Sequence, residues 1–255
     1  MTTDALKALP TPRPLPGFGQ IALFLDLDGT LAAIEPRPED VGPEPWRTSL
    51  LHQLQERLGG KLAVISGRSL GEVDRILEGA VTAVAAVHGL VRRRADGMVE
   101  EAPADPGLVD ARARLEALAA GHPELRLEDK GVSIAIHYRL APEFGEAVRN
   151  EATSIAADCG LTLQLGDMVA EICSPGCDKG SAVKAFMRES PFQRALPVFV
   201  GDDLTDENGF RAARALGGVS VLVGQLRPTA ADLRLEDVAA VRAWLEAGLL
   251  QSAAS

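Results

Sequence analysis

Aromatic side chains are scarce, 4% of the sequence with two Trp and one Tyr, so a core has to be assembled mainly from small and branched aliphatic residues. Cysteine is scarcer still. Cys159, Cys173 and Cys177 are odd in number and lack CxxC spacing, which excludes a disulfide framework and a zinc site of that type and fits a reducing, cytoplasmic compartment. No apolar run approaches the roughly 18 to 20 residues that span a bilayer, and the first twenty residues hold no hydrophobic signal core. No membrane partner is expected. Basic residues are outnumbered, 26 Lys and Arg against 36 Asp and Glu, for a net charge of −10. That balance excludes a nucleic-acid partner met through a basic surface. An anionic ligand would have to be met by local cations.

What is present is a chain of 255 residues, 46% hydrophobic, long enough for one large domain or a domain with an insert. The proline-rich run LPTPRPLPGF (9–18) predicts an extended, flexible leader over 1–17 without chemistry. The organising stretch is IALFLDLDGTLAAIEP (21–36), an apolar strand pattern that delivers two carboxylates and breaks at a glycine. Residues two apart on a strand share a face. Asp26 and Asp28 therefore point at one small volume, where two carboxylates repel unless a cation, proton or substrate compensates. The plainer alternative is that both merely cap the following turn.

Further along, Trp46, Leu50, Leu51, Leu54 and Leu58 recur at helical spacing before Gly59-Gly60. KLAVISGRS gives a buried strand over 62–65 ending in Ser66-Gly67-Arg68. A helix over 69–77 and a strand over 82–87 complete a strand, helix, strand alternation, hence a parallel sheet whose ligands gather at strand carboxyl ends. From residue 92 the style changes to a helix over 106–120, two strands broken at Lys130-Gly131, a helix over 142–159, and a hairpin turning at Gly166-Asp167. The parallel pattern resumes with a helix over 179–189, a strand over 196–200, a helix over 205–215, a strand over 219–223 and a helix over 238–250. The expected fold class is α/β: a Rossmann-like parallel-sheet core, 18–91 and 176–255, with an inserted α+β, antiparallel-sheet cap over 92–175.

LPVFVGDDLTDENGF (196–210) places Asp202, Asp203, Asp206 and Glu207 within six residues after a buried strand. Such a set is hard to ionise together without a cation, and hard oxygen ligands suit Mg²⁺. An acidic helix start capped near Thr205 is the plainer alternative, and both readings can hold together, with Asp206 and Glu207 partly capping and the choice between Asp203 and Asp206 for the first shell left open. Asp202, nearest the strand end, is the expected metal ligand, and Asp203 stands in the first shell or just behind it. In DKGSAV (178–183), Lys179 at a helix start can project toward these acids.

The ordered runs DLDGT, ISGR, DKG and GDDLTDE resemble the four motifs of the haloacid dehalogenase phosphatases, with an insert where that superfamily carries a C2-type cap. The resemblance implies that Asp26 attacks phosphorus to form an aspartyl-phosphate, while Asp28 protonates the leaving oxygen and then activates water. Mg²⁺ and Lys179 would reduce the charge repulsion. Ser66 can donate to a phosphoryl oxygen, Thr30 can position the loop, and Arg68 is grouped with the substrate-binding residues. Metal contacts are expected from Asp26, Asp28, Asp202 and Asp203, that of Asp28 through its carbonyl.

AAVHG (85–89), LEDKG followed by IHYR, and VAEI before DKG extend the likeness to the trehalose-6-phosphate phosphatase family over about 21–245. The resemblance implies that Glu128, Lys130 and Glu171 hold sugar hydroxyls. Without it, the three charged residues would read as a surface salt-bridge set. In the strand ending IHYR, alternation puts Ile134, Ile136 and Tyr138 on one face and Ala135, His137 and Arg139 on the other, where His137 and Arg139 are either solvated or, as expected of Arg139, near the substrate. His88 reads as a hinge or cap-proximal contact. Two departures stand out: His88-Gly89-Leu90-Val91 where the family commonly has HGAE, and Cys173-Ser174 where a basic residue and proline commonly follow Glu-Ile. The expectation is a monomeric enzyme acting on a small molecule, trehalose 6-phosphate, with association with the synthase that makes it left open. The alternatives are a related phosphatase of sucrose phosphate, mannosyl-phosphoglycerate or a hexose phosphate, separable by assay, and a non-catalytic metal-binding regulatory module.

Overall fold

The computed structural model describes residues 8–13 and 20–252. The chain divides into two compact units, one of Met1–Val99, Asp178–Asp202 and Asp206–Ser255, the other of Glu100–Cys177 with Asp203–Thr205. In chain order the first unit holds β1 (Ile21–Leu25), α1 (Pro45–Arg57), β2 (Leu62–Ile65), α2 (Leu70–Leu77), β3 (Ala83–Ala86), β4 (Val91–Arg93) and β5 (Val99–Glu101), the last crossing the seam. The second holds α3 (Leu108–Ala119), β6 (Arg126–Asp129), β7 (Ser133–His137), α4 (Gly145–Cys159), β8 (Thr162–Gly166) and β9 (Val169–Cys173). The first unit then resumes with α5 (Lys179–Phe186), β10 (Leu196–Gly201), α6 (Glu207–Ala215), β11 (Val219–Val223), β12 (Leu233–Leu235) and α7 (Val238–Ser252).

The large sheet runs β12-β11-β10-β1-β2-β3-β4-β5. Strands β12 to β3 are parallel, and β4 lies antiparallel to β3. From β1 the chain steps out through β2 and β3. On its return it steps the other way through β10, β11 and β12. The order therefore reverses between β1 and β10, the place where such sheets bind ligands. Every residue of β1 is buried, as a strand covered on both faces requires. The few aromatics are concentrated here: Phe24, Phe186, Phe192, Phe199 and Phe210 are fully buried, with Phe24 stacked on Phe192 at 5.6 Å. The core is thus less purely aliphatic than composition suggested.

The second unit's sheet is antiparallel in the order β6-β7-β9-β8. Ile134, Ile136 and Tyr138 pack with Leu115, Val148 and Ile155 of its two helices, the face that alternation predicted. Its hairpin turns at Asp167-Met168, one residue later than expected, because Gly166 still pairs with Val169.

Other differences have local causes. The seam falls at 99/100 and 177/178 rather than 91/92 and 175/176, since β4 folds back onto β3 and carries its successors with it. Strands β4, β5 and β12 are three residues each, too short to show alternation. Helix α5 stops at Phe186. On α1 the buried face is Arg47, Leu50, Leu51 and Leu54, with Trp46 only partly covered. Arg47 is admitted because its guanidinium reaches the carbonyls of Gly42 (2.5 Å) and Ile76 (3.3 Å). Within the leader, Pro10 C=O accepts from Arg234 N–H at 3.0 Å and Arg13 C=O from Trp244 Nε1 at 2.8 Å. That part has no regular secondary structure and is tied to β12 and α7, whereas 1–7 and 14–17 lie outside the described residues. Among the described residues no helix is long and apolar enough to cross a membrane.

Candidate active site

Asp26 directly follows β1, and its N–H donates to Val200 C=O at 2.9 Å, tying it to the end of β10. In the turn that follows, Gly29 has φ +81°, and a Cβ there would overlap the Asp202 carboxylate. Only glycine lets the two strand-end loops approach so closely. Across from them α5 opens with a capping box between Asp178 and Ser181. The box fixes the helix start, so that Lys179 enters with Nζ 2.7 Å from Asp26 Oδ1 and 2.7 Å from Asp206 Oδ1. Asp26 is 4% exposed, Lys179 3% and Asp206 not at all. The other Asp206 oxygen accepts the Asp202 N–H at 2.9 Å.

Burial pushes Asp26 up to about 7, with the Lys179 charge opposing and that of Asp206 adding. Burial works against the Lys179 ammonium as well, but the charges of Asp206 and Asp26 outweigh it and raise its pKa. Asp26, Asp202 and Asp206 each present an oxygen within 4.8 Å of the others. Three carboxylates against one ammonium leave a formal charge of minus two, which suits a divalent cation held by hard oxygens.

The other residues singled out from these motifs make different contacts. Arg68 grips Asp28 through both carboxylate oxygens, Nε to Oδ2 at 2.7 Å and Nη2 to Oδ1 at 2.8 Å, and also donates to Pro38 C=O at 2.9 Å and Glu72 Oε1 at 3.3 Å. Ser66, at the end of β2, is buried and accepts the Arg68 N–H on Oγ at 3.2 Å. Thr30 is fully buried, with no hydrogen-bond partner for its hydroxyl among the described residues. Asp206, not Asp203, completes the three-carboxylate group; Asp203 Oδ1 accepts the Leu204 N–H at 2.6 Å. The expected capping roles of Asp206 and Glu207 are not what the structure shows. The Asp206 side chain makes no cap to α6, and Glu207 instead accepts from Thr229 Oγ1 at 2.7 Å and Ala230 N–H at 2.8 Å.

The second unit carries its own polar cluster. Register places Glu128, Ala135 and Glu171 in one row across β6, β7 and β9, so the two glutamates flank a small residue on the face opposite the apolar core. Lys130 Nζ lies 3.1 Å from Glu171 and 3.8 Å from Glu128. Ser133 Oγ donates to Glu171 Oε1 at 2.5 Å, and His137 Nε2 is bonded to Glu128 Oε2 at 2.9 Å. Lys130 and Glu171 side chains are only 6% and 5% exposed, unlike a solvated surface pair. Burial opposes the Glu128 charge, but the hydrogen bond from His137 and the Lys130 charge hold it below the ordinary carboxylate range. Arg139 stands apart from this cluster, donating to Asp167 Oδ2 at 2.8 Å and to its carbonyl at 3.0 Å.

The two departures from the family pattern are packed in. Leu90 is buried and Val91 begins β4. Burial, then the nearby Glu171 charge, pushes the Cys173 thiol up to about 12. Ser174 Oγ donates to Val132 C=O at 3.2 Å and accepts the Asp105 N–H at 3.0 Å.

A mostly parallel sheet with carboxylates at its switch point, a lysine between them and a separate antiparallel α+β unit defines the fold class of the haloacid dehalogenase phosphatases. A solved member from Bacteroides thetaiotaomicron shares that fold, with a TM-score of 0.62 at 17% identity over 93% of this chain and 98% of that one. Within that class the chain belongs to the trehalose-phosphatase family, whose model matches residues 24–239. It is 40% identical over 227 residues to the trehalose-6-phosphate phosphatase of Escherichia coli (strain K12), covering 88% of this chain and 85% of that one. The crystal structure of a trehalose-6-phosphate phosphatase related protein matches with a TM-score of 0.74 at 26% identity, over 91% of this chain and 98% of that one.

Two participants escaped the sequence reading. Arg227 donates to the Asp202 carbonyl at 3.2 Å from the loop before β12, and nothing local marks it. Ser133 holds Glu171 of the second unit. His137, which alternation places on the face of Ala135 and Arg139, holds Glu128.

Proposed function

We propose that the chain is a Mg²⁺-dependent phosphatase that hydrolyses trehalose 6-phosphate to trehalose and phosphate through a phosphoryl group carried on Asp26. The observation that carries this reading is the Lys179 bridge, 2.7 Å to Asp26 and 2.7 Å to Asp206, inside a buried three-carboxylate centre. A carboxylate so placed is an oriented nucleophile. In the first step an Asp26 oxygen bonds to phosphorus, the bond from phosphorus to the sugar 6-oxygen breaks, and Asp28 gives that oxygen its proton. In the second, Asp28 takes a proton from water as the water attacks phosphorus, releasing phosphate and the Asp26 carboxylate. Asp28 is held by Arg68 through both oxygens, so its part in proton transfer requires that fork to open. Ser66 donates its hydroxyl to a phosphoryl oxygen.

Asp26, Asp202 and Asp206 would hold Mg²⁺, with Asp28 contributing its main-chain carbonyl, and the ion when bound supplies positive charge against the phosphoryl oxygens. Glu128, Lys130 and Glu171 bind the sugar hydroxyls, two carboxylates accepting and one ammonium donating. The burial of Lys130 and Glu171 supports this over a surface role. The free cysteines support a cytoplasmic setting.

The test is phosphate release from a panel of sugar phosphates with Mg²⁺, repeated with Glu128→Ala, Lys130→Ala and Glu171→Ala and with a small aryl phosphate. Trehalose 6-phosphate should lead the panel. Each variant should lose roughly tenfold to a hundredfold on it, because a charged contact to a hydroxyl is worth about 1.5 to 3 kcal/mol, and should lose little on the aryl ester. Equal losses on both substrates, or preference for another sugar phosphate, would refute the assignment.

A further inference from the structure

The Asp202 main chain is held at both ends by charged side chains. Its N–H donates to Asp206 Oδ2 at 2.9 Å, and its C=O accepts from Arg227 Nη2 at 3.2 Å. The other terminal nitrogen of Arg227, Nη1, is paired with Glu207 Oε1. Glu207 is itself 8% exposed and accepts from Thr229 Oγ1 at 2.7 Å and Ala230 N–H at 2.8 Å. Burial opposes its charge, but these donors and Arg227 hold it below the ordinary carboxylate range. The loop between β11 and β12 is thereby fastened to the first residue of α6. A planar guanidinium can span a carboxylate and a carbonyl from one fixed plane, which a lysine ammonium cannot reproduce.

We propose that Arg227 is a positioning residue for the acidic centre: anchored by Glu207, it fixes the Asp202 main chain so that the Asp202 carboxylate stands with those of Asp26 and Asp206. The inference rests on reading that group as a divalent-cation site. Its sign separates it from simple electrostatics. A guanidinium near a cation repels it, so charge alone predicts that removing Arg227 tightens metal binding. Positioning predicts the reverse, since groups that orient metal ligands typically contribute roughly 10- to 100-fold in affinity.

The experiment titrates Mn²⁺, followed by electron paramagnetic resonance, into the full chain and its Arg227→Met and Arg227→Lys variants without substrate. Melting temperature in EDTA is recorded for each. Both variants should bind Mn²⁺ at least tenfold more weakly while melting within a few degrees of the parent, because the Arg227 side chain is partly exposed. Binding by Arg227→Met as tight as the parent's or tighter, or Arg227→Lys indistinguishable from the parent, would overturn the proposal. Should Arg227→Met fail to fold, Arg227→Lys decides. A parent chain that binds no Mn²⁺ defeats both the metal reading and this inference. A parent that binds Mn²⁺ but spares trehalose 6-phosphate defeats only the substrate assignment.

Discussion

Replacing Lys179 by Met removes the ammonium that touches both Asp26 and Asp206 at 2.7 Å while roughly preserving the length of the side chain. Two buried carboxylates with oxygens within 4.8 Å of each other then face one another unscreened. At an effective dielectric of 20 their repulsion is about 3.5 kcal/mol, and removing one partner of a buried ion pair costs about 3 to 5 kcal/mol. In a protein of this length that corresponds to a fall in melting temperature on the order of 10 °C in EDTA.

The pH dependence follows from Asp26, which burial already pushes up to about 7. Without Lys179 the carboxyl rises further and escapes the repulsion by keeping its proton. A carboxyl raised in the folded state contributes stability at low pH that is lost as pH climbs through the folded value. The deficit of the variant should therefore be small near pH 6 and widen toward pH 9. Mg²⁺ should restore much of it, since a bound cation stabilises the folded chain by mass action. Phosphatase activity should nevertheless fall by roughly 10²- to 10³-fold. Thermal melts at three pH values, with EDTA or Mg²⁺, measure all of this. A variant that melts with the parent in EDTA at pH 9, or a deficit that shrinks as pH rises, would refute the reasoning.

Asp26→Asn should abolish turnover with the fold kept, because the amide preserves shape and loses nucleophilicity; mass spectrometry of acid-quenched parent enzyme should find phosphate on Asp26 and on no other residue. Gly67→Ala should cut kcat/KM at least tenfold, as its Cβ would stand 2.6 Å from His88 Nε2 and displace the loop bearing Ser66 and Arg68, and adding His88→Ala should recover part of the loss; no recovery would mean the clash is not the cause. Glu207→Gln should destabilise the chain at neutral pH, and the gap from the parent should close as pH falls below about 4.5, because a carboxylate held below its ordinary range contributes stability above its unfolded pKa and loses it on protonation. A gap that stays constant in acid melts would assign the effect to shape instead.

The strands that end at the acidic centre were legible because both faces of a parallel strand are covered. Their sequences are apolar runs that stop where a side chain can be polar, so Asp26, Ser66 and Asp202 stand out at the breaks. The choice between Asp203 and Asp206 was not legible. It depends on the short 3-10 turn Leu204–Asp206, which brings Asp206 back onto the N–H of Asp202, and spacing alone treats the four clustered acids alike. The fork between Arg68 and Asp28 joins residues forty positions apart, and Arg227 reaches Asp202 across twenty-five. Such contacts are set by sheet order, which local periodicity does not encode. Likewise, the sequence pattern of α1 favoured Trp46 for the core, whereas Arg47 is buried there because carbonyls from three segments, those of Leu31, Gly42 and Ile76, surround its guanidinium.

Charge ties these pieces together. The chain carries −10 overall, and a phosphate monoester is itself an anion, so the wider field opposes its approach, although salt screens most of it beyond about 8 Å. Close in, the cations are already committed: Lys179 to Asp26 and Asp206, and Arg68 to Asp28. Four carboxylates, counting Asp202, against these two cations leave the centre at a formal minus two. A phosphoryl group cannot settle against Asp26 until that charge is met, so under the proposed reading a divalent cation is a condition of substrate binding as well as of turnover. Under the same reading, sugar recognition by Glu128, Lys130 and Glu171 would carry no such requirement, since hydroxyls are neutral. The work would then divide by charge, and Lys179, which touches two acids of the centre at once, is where a single substitution disturbs the balance most.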